Sequence, residues 1–108
     1  MKLPEELIRH MIDECDYIIE ASEGMDIEEF LSDETIKRAF TRSIEVIGEA
    51  AKQVPDEYRG SHADIDWRRI TGMRDILIHG YHRIDYVILW DAIQSIPDLR
   101  ERLIGILP

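Results

Sequence analysis

Four residues able to act together on a phosphodiester fall within one short segment, Arg74-Asp75-Ile-Leu-Ile-His79-Gly-Tyr81. A guanidinium is permanently charged and forks onto phosphate oxygens, so Arg74 suits charge building on a pentavalent phosphorus. An imidazole titrates near neutral pH, so His79 can move a proton at the pH where RNA is cut. The phenol of Tyr81 can position a phosphate or stack on a base. These side chains satisfy the chemistry of RNA cleavage without a metal: a 2′-hydroxyl loses a proton and a 5′-oxygen gains one.

Helical spacing decides which of them can meet. Asp75 and His79 stand four apart and share a face, which lets the carboxylate orient the imidazole. Arg74 and His79 stand five apart, about 140° around an ideal helix. They converge only if Gly80 distorts the helix end or a second subunit completes the site. Tyr81, seven after Arg74, returns to within about 20° of it.

The surrounding sequence reads as helices, four to five of them in one domain over 1–108, expected to form an antiparallel bundle. Pro4, Glu5 and Glu6 open the first, whose stripe holds Leu7, Met11, Ile18 and Ser22, widened by Ile8, Ile12 and Ile19, and which stops near Gly24. A turn over 26–31 leads to Ser32 as N-cap of the second, with Ile36, Phe40, Ile47, Ala51 and Val54 ending at Pro55. Small residues line it (Ala39, Ser43, Gly48, Ala50, Ala51), so a neighbour can approach closely. Residues 56–64 read as a loop with one short turn. Asp66 caps the helix that bears Arg74, and Gly80 marks its end or a break. Asp85 caps a helix over 86–94 that is apolar on most of its circumference, a pattern that points to dimerisation. Ser95, Pro97 and Asp98 open the last.

The chain has 108 residues and a formal net charge of −10, which argues against a broad nucleic-acid binder. The deficit is unevenly spread. From Lys52 to Arg83 six basic residues face five acids, and from Trp67 to Arg83 four face one, with His79 and His82 besides. A narrow RNA-contacting cleft on an acidic body fits this distribution, and an acidic flank suits a basic protein partner. No apolar run reaches the length of a membrane span and no signal-peptide pattern opens the chain, so a cytoplasmic protein is expected. One cysteine, Cys15, allows no internal disulfide and no Cys-based zinc knuckle, and reads as a small buried apolar residue.

The segment from Arg74 to Tyr81 resembles the R-x4-H-x-Y signature of HepT-type toxins in the HEPN superfamily. The Asp-x-x-Trp-Arg lead-in at Asp64–Arg68, the Gly-Met before Arg74 and the Tyr-Val-Ile-Leu-Trp run at 86–90 strengthen the likeness, and the helical layout agrees over nearly the whole chain. The resemblance implies an α-helical bundle that forms a homodimer, bringing two motif copies to one cleft. It implies a metal-independent endoribonuclease that cuts RNA, tRNA in some members, to a cyclic phosphate, with no cofactor. It also implies a toxin–antitoxin pair, of the type II or type VII kind, with an MNT-type nucleotidyltransferase antitoxin that attaches AMP to the motif tyrosine. Carried onto this chain, Arg74 and His79 are catalytic, Asp75 fills the polar position after the arginine, and Tyr81 is the site of AMPylation. Asp75 stands where asparagine is also common, and its charge disfavours RNA phosphate unless it pairs with His79. The alternative is a catalytically silent interaction module that binds a nucleotidyltransferase or nucleotide.

Other candidates carry less. Arg68, Arg69, His82 and Arg83 are possible RNA contacts, although solvated helix charges explain Arg68 and Arg69 equally well. His10, His62 and His82 lack metal-ligand spacing. Trp67 and Trp90 read as packing, the acidic cluster over 26–34 as a solvated face, and no phosphate-binding loop, zinc-protease helix or paired-carboxylate motif supports another enzyme class.

Overall fold

The structure, a computed structural model, describes residues 2–79 and 84–108, the side chains of Ile76, Ile78 and His79 excepted. Seven helices occur among these residues: α1 (Pro4–Ser22), α2 (Ile27–Ser32), α3 (Glu34–Gln53), α4 (Asp56–Ser61), α5 (Trp67–His79), α6 (Tyr86–Gln94) and α7 (Ile96–Ile106). The all-α expectation holds. The five longer helices are those read from periodicity, and two six-residue helices join them.

Local polar chemistry explains both additions. Residues expected as a turn form α2 because Asp26 and Glu29 close a reciprocal capping box: the Glu29 amide donates to Asp26 Oδ1 at 2.8 Å and the Asp26 amide to Glu29 Oε1 at 3.1 Å. Two otherwise orphaned donors are thereby satisfied in a very short helix. The acidic cluster is therefore partly a capping device, and it turns Phe30 fully into the core. The N-cap of α3 is Asp33 rather than Ser32: Asp33 Oδ1 accepts from the Ile36 amide at 3.0 Å, while Ser32 still belongs to α2 and its hydroxyl donates to the Glu29 carbonyl. Pro55, with Asp56 and Glu57 in the first turn, starts α4 inside the expected loop.

The expected cap of the motif helix is present, since Asp66 Oδ1 accepts from the Arg69 amide at 3.0 Å. So is that of α6, where Asp85 Oδ1 accepts from the Val87 and Ile88 amides. Ser95 does not cap α7 with its side chain, because its hydroxyl donates back to the Ala92 carbonyl at 2.6 Å.

Helix α3 packs most extensively, against α1 and α5, and α7 closes on α1. Leu7, Ile8, Met11, Cys15 and Ile18 of α1 meet Phe40, Ile44, Ile47, Ala51 and Val54 of α3 in one buried cluster. Ile12, Ile19 and Ser22 sit only half-buried at its margin, so the inward stripe of α1 centres on Cys15. Arg100 of α7 pairs with Asp16 of α1, pinning the two helices at their edge. An aromatic group fastens α6 through α2: Phe30 stacks on Phe40 at 5.9 Å and meets Trp90 at 5.1 Å. Trp67 is buried and donates its indole N–H to the His62 carbonyl at 3.0 Å, so both tryptophans pack as expected. On α6, Leu89, Ala92 and Ile93 face inward, while Val87 and Ile88 remain about half exposed, at 48% and 50%. Among the described residues no helix is long and apolar enough to cross a membrane.

Burial pushes the Cys15 thiol up to about 12, with the Asp16 carboxylate adding to the shift. In native protein Cys15 should therefore ignore a thiol reagent such as Ellman's at pH 8 and react once the chain is unfolded; rapid labelling of the native chain would contradict this burial. Because the folded protein holds this proton more tightly than the unfolded chain, stability should fall as pH rises above about 9 towards 12. A Cys15→Ala variant, compared by denaturant melts across that range, should show a weaker fall.

Candidate active site at the seam between α3 and α5

Arg74 lies against Gly48 where α5 packs on α3, and a missing side chain makes room for it. A Cβ built on Gly48 of α3 would stand 2.2 Å from Arg74 Cβ, 2.8 Å from its Cγ and 3.0 Å from its Cδ. Carbon atoms do not come that near without bonding, since contact is optimal at about 3.5–4.0 Å. The aliphatic stem of Arg74 therefore runs over bare backbone, and Gly48 is the slot that seats it. A glycine in a helix interior costs about 1 kcal/mol relative to alanine, and this close approach is the compensating reason. The expectation that small residues on this helix admit a close neighbour is met here.

Two carboxylates flank the guanidinium. Glu49 Oε1, from the residue after the slot, stands 3.7 Å from Arg74 Nη2. Asp75 Oδ1 accepts from Arg74 Nη1 at 3.4 Å. Arg74 Nε is buried and, among the described residues, donates no hydrogen bond. A buried donor without an acceptor costs about 1–3 kcal/mol, and in native proteins such atoms need a reason. The side chain is 20% exposed, so the group is held from below and open at its rim.

The same Asp75 oxygen also accepts from Lys52 Nζ of α3, at 2.9 Å. Asp75 thus pairs with two cations other than the imidazole expected for it, whose side chain lies outside the described residues, and its charge does not stand uncompensated. The seam brings together Gly48, Glu49 and Lys52 from one helix and Arg74 and Asp75 from the other. In the sequence Gly48 is one of several small packing residues and Lys52 one charge in a basic segment. Their signal was the spacing: Gly48 and Lys52 are four apart on one helical face, and Glu49 lies beside them.

His79 is the last residue of α5, and its side chain lies outside the described residues, as do Gly80, Tyr81, His82 and Arg83. The proposed convergence of Arg74 with His79 and Tyr81 thus falls partly beyond them. Arg68 and Arg69 are not brought to Arg74. Arg69 lines a depression of about 290 Å³ between α3, α5 and α7, with Ile47, Met73, Asp64, Asp66 and Asp98. Three carboxylates share that rim with Arg69 and Arg102, and Arg102 is paired with Asp98 at 2.9 Å. Arg68 lines a separate hollow beside Arg59. Neither depression includes Arg74.

Comparison with known proteins adds an independent line. Residues 11–106 match the family described as Ribonuclease HepT-like. A protein of Caldanaerobacter subterraneus subsp. tengcongensis, provisionally named an RNase, is 43% identical over 108 residues, covering 99% of this chain and 96% of its own. A Methanocaldococcus jannaschii protein, also provisionally named an RNase, is 40% identical across 80% of this chain and 75% of its own. One from Thermococcus cleftensis, named a probable ribonuclease HepT, is 40% identical across 68% of this chain and 67% of its own. No solved structure matches the chain.

Two glycines in neighbouring helices should respond to alanine with opposite sign. Gly48→Ala must displace Arg74 or part the helices, and should destabilise by about 1–3 kcal/mol, as overpacked sites do. Gly72→Ala meets nothing within 4 Å and should stabilise by about 0.5–1 kcal/mol through helix propensity. Urea melts check both; a neutral or stabilising Gly48→Ala would show that the seam has no slot.

Proposed function

The chain belongs to the HepT-like ribonuclease family, and from that premise we propose that it is a metal-independent endoribonuclease centred on Arg74 and His79. The observation that supports this most directly is the state of Arg74: seated by Gly48, mostly buried, with an Nε–H that has no acceptor among the described residues. Packing alone does not call for a guanidinium there. A site that must present fixed positive charge to a phosphorane does, because preorganised charge in a sheltered place needs little rearrangement during reaction.

In the reaction, the RNA 2′-oxygen attacks the adjacent phosphorus, a P–O2′ bond forms and the P–O5′ bond breaks. The products are a 2′,3′-cyclic phosphate and a free 5′-hydroxyl. His79 carries the proton, taking it from the 2′-hydroxyl and giving it to the departing 5′-oxygen, a role worth about 10²–10⁴ in rate. Arg74 stabilises the charge on the non-bridging oxygens. Two copies of the chain form the working unit, each with its own motif in a shared cleft, and the half-exposed Val87 and Ile88 of α6 supply apolar surface for such pairing. The chain acts as the toxin of a toxin–antitoxin pair in the cytoplasm. Its partner is an MNT-type nucleotidyltransferase that moves AMP from ATP onto the Tyr81 oxygen and releases pyrophosphate. An adenylyl group on the motif would compete with RNA for Arg74.

One observation favours a second reading, the silent interaction module. Both terminal nitrogens of Arg74 already face carboxylates, Glu49 and Asp75, which a phosphate must displace or share.

Cleavage of RNA in the presence of a chelator separates the two. Wild type should cut and leave a cyclic phosphate, and His79→Ala should lose at least about 10²-fold in kcat. Arg74→Lys should keep charge but lose the fork, and so fall between wild type and Arg74→Ala. No cleavage by wild type, or equal cleavage by His79→Ala, would refute the catalytic assignment. After co-expression with the partner, intact mass should show added AMP that Tyr81→Phe abolishes; an unmodified wild-type mass would refute that regulation.

A further inference from the structure

We propose that Lys52 of α3 is the second cation of the RNA-binding cleft, held beside Arg74 by the shared Oδ1 of Asp75 so that its ammonium contacts a phosphate. This inference rests on the ribonuclease reading of the same seam and extends it to a residue 22 positions upstream of the motif.

The geometry carries the argument. Lys52 Nζ lies 2.9 Å and Arg74 Nη1 3.4 Å from one carboxylate oxygen, so their separation cannot exceed those two distances laid end to end. Two like charges so near one another repel, and repel most where water is excluded; an anion between them relieves this. Asp75 supplies one such oxygen from below. A phosphodiester, with two charged non-bridging oxygens, offers the matching pair from above.

Lys52 is also free to take a ligand. An ammonium has three donors, Asp75 Oδ1 occupies one, and the side chain is 46% exposed. Charge balance points the same way. Arg74 alone between Glu49 and Asp75 would present a negative cluster to RNA, on a chain that already carries −10. Among the described residues, Lys52 offsets one of the two carboxylates beside Arg74, so that an approaching phosphate meets cations at the rim. Asp75 then acts as a clamp that sets two cations side by side.

The test measures binding separately from cleavage. A single-stranded RNA with 2′-O-methyl groups cannot form the cyclic product, so its affinity for the intact protein can be followed by fluorescence anisotropy from about 50 to about 200 mM salt. Lys52→Gln should weaken binding several-fold at the lower salt and reduce the slope of log K against log salt by about 0.7, the loss of one phosphate contact on a single strand. Lys52→Arg, which keeps the charge, should restore both. A structural role confined to holding Asp75 would leave that slope unchanged. A wild-type slope in Lys52→Gln overturns the proposal, as does Lys52→Arg binding no better than Lys52→Gln. If wild type binds and cuts RNA while Lys52→Gln keeps its slope, only the role of Lys52 fails. If wild type neither binds nor cuts, the ribonuclease reading fails with it.

Discussion

The approach of α3 to α5 at Gly48 is the constraint on which the candidate site depends. A methylene-rich stem crosses bare helix backbone there, and the distances leave no space for even one carbon on the α3 side. That contact fixes the depth at which Arg74 sits. Depth in turn decides how far its guanidinium is shielded from water, and so how strongly its charge acts on a ligand. Glu49 and Lys52 owe their places beside the arginine to the same contact, being one and four residues beyond the slot on the same helix.

The rest of the molecule holds that seam in register. α3 is packed on its other side by α1, whose buried face is continuous from Leu7 to Ile18. α7 closes against α1 through the Arg100–Asp16 pair, and Arg102 reaches the Asp64 carbonyl in the segment before α5. Asp66 starts α5 one residue ahead of a buried tryptophan, so the helix entering the site is anchored at its first turn. Burial of Ile65, Trp67 and Ile70 then sets the rotation of α5, which turns Arg74 toward α3 rather than toward solvent. Rotation of one helix about its axis thus decides what Arg74 meets, and apolar residues away from the seam control it.

On the proposed reading, the polar seam is how an acidic protein would keep a site for an anion. Net charge acts over distances that salt screens, whereas the cations at the seam act at contact. Pairing each with a carboxylate keeps the seam from accumulating unbalanced charge. It also fixes the side chains in place, which lowers the entropic cost of ordering them when a ligand binds.

Much of this was legible in the sequence, and particular residues show why. Apolar spacing in 4–22, 34–53 and 67–79 reports helices because each must hide one stripe, and Asp66 and Asp85 report helix starts because their carboxylates satisfy local amides. Such signals act over three or four residues and need no knowledge of the fold. The motif from Arg74 to Tyr81 was legible for the same reason, as a set of chemical types at fixed spacing. Short-range rules also misplaced the boundary at Ser32 and passed over α2 and α4, since two neighbouring caps compete and six residues are too few for periodicity to register. What the tertiary structure alone decided is which distant residues join the motif. Lys52 and Gly48 lie 23 and 26 residues before the residues they touch. No periodicity links such positions: their meeting depends on how two helices rotate and cross, and packing of the whole core settles that.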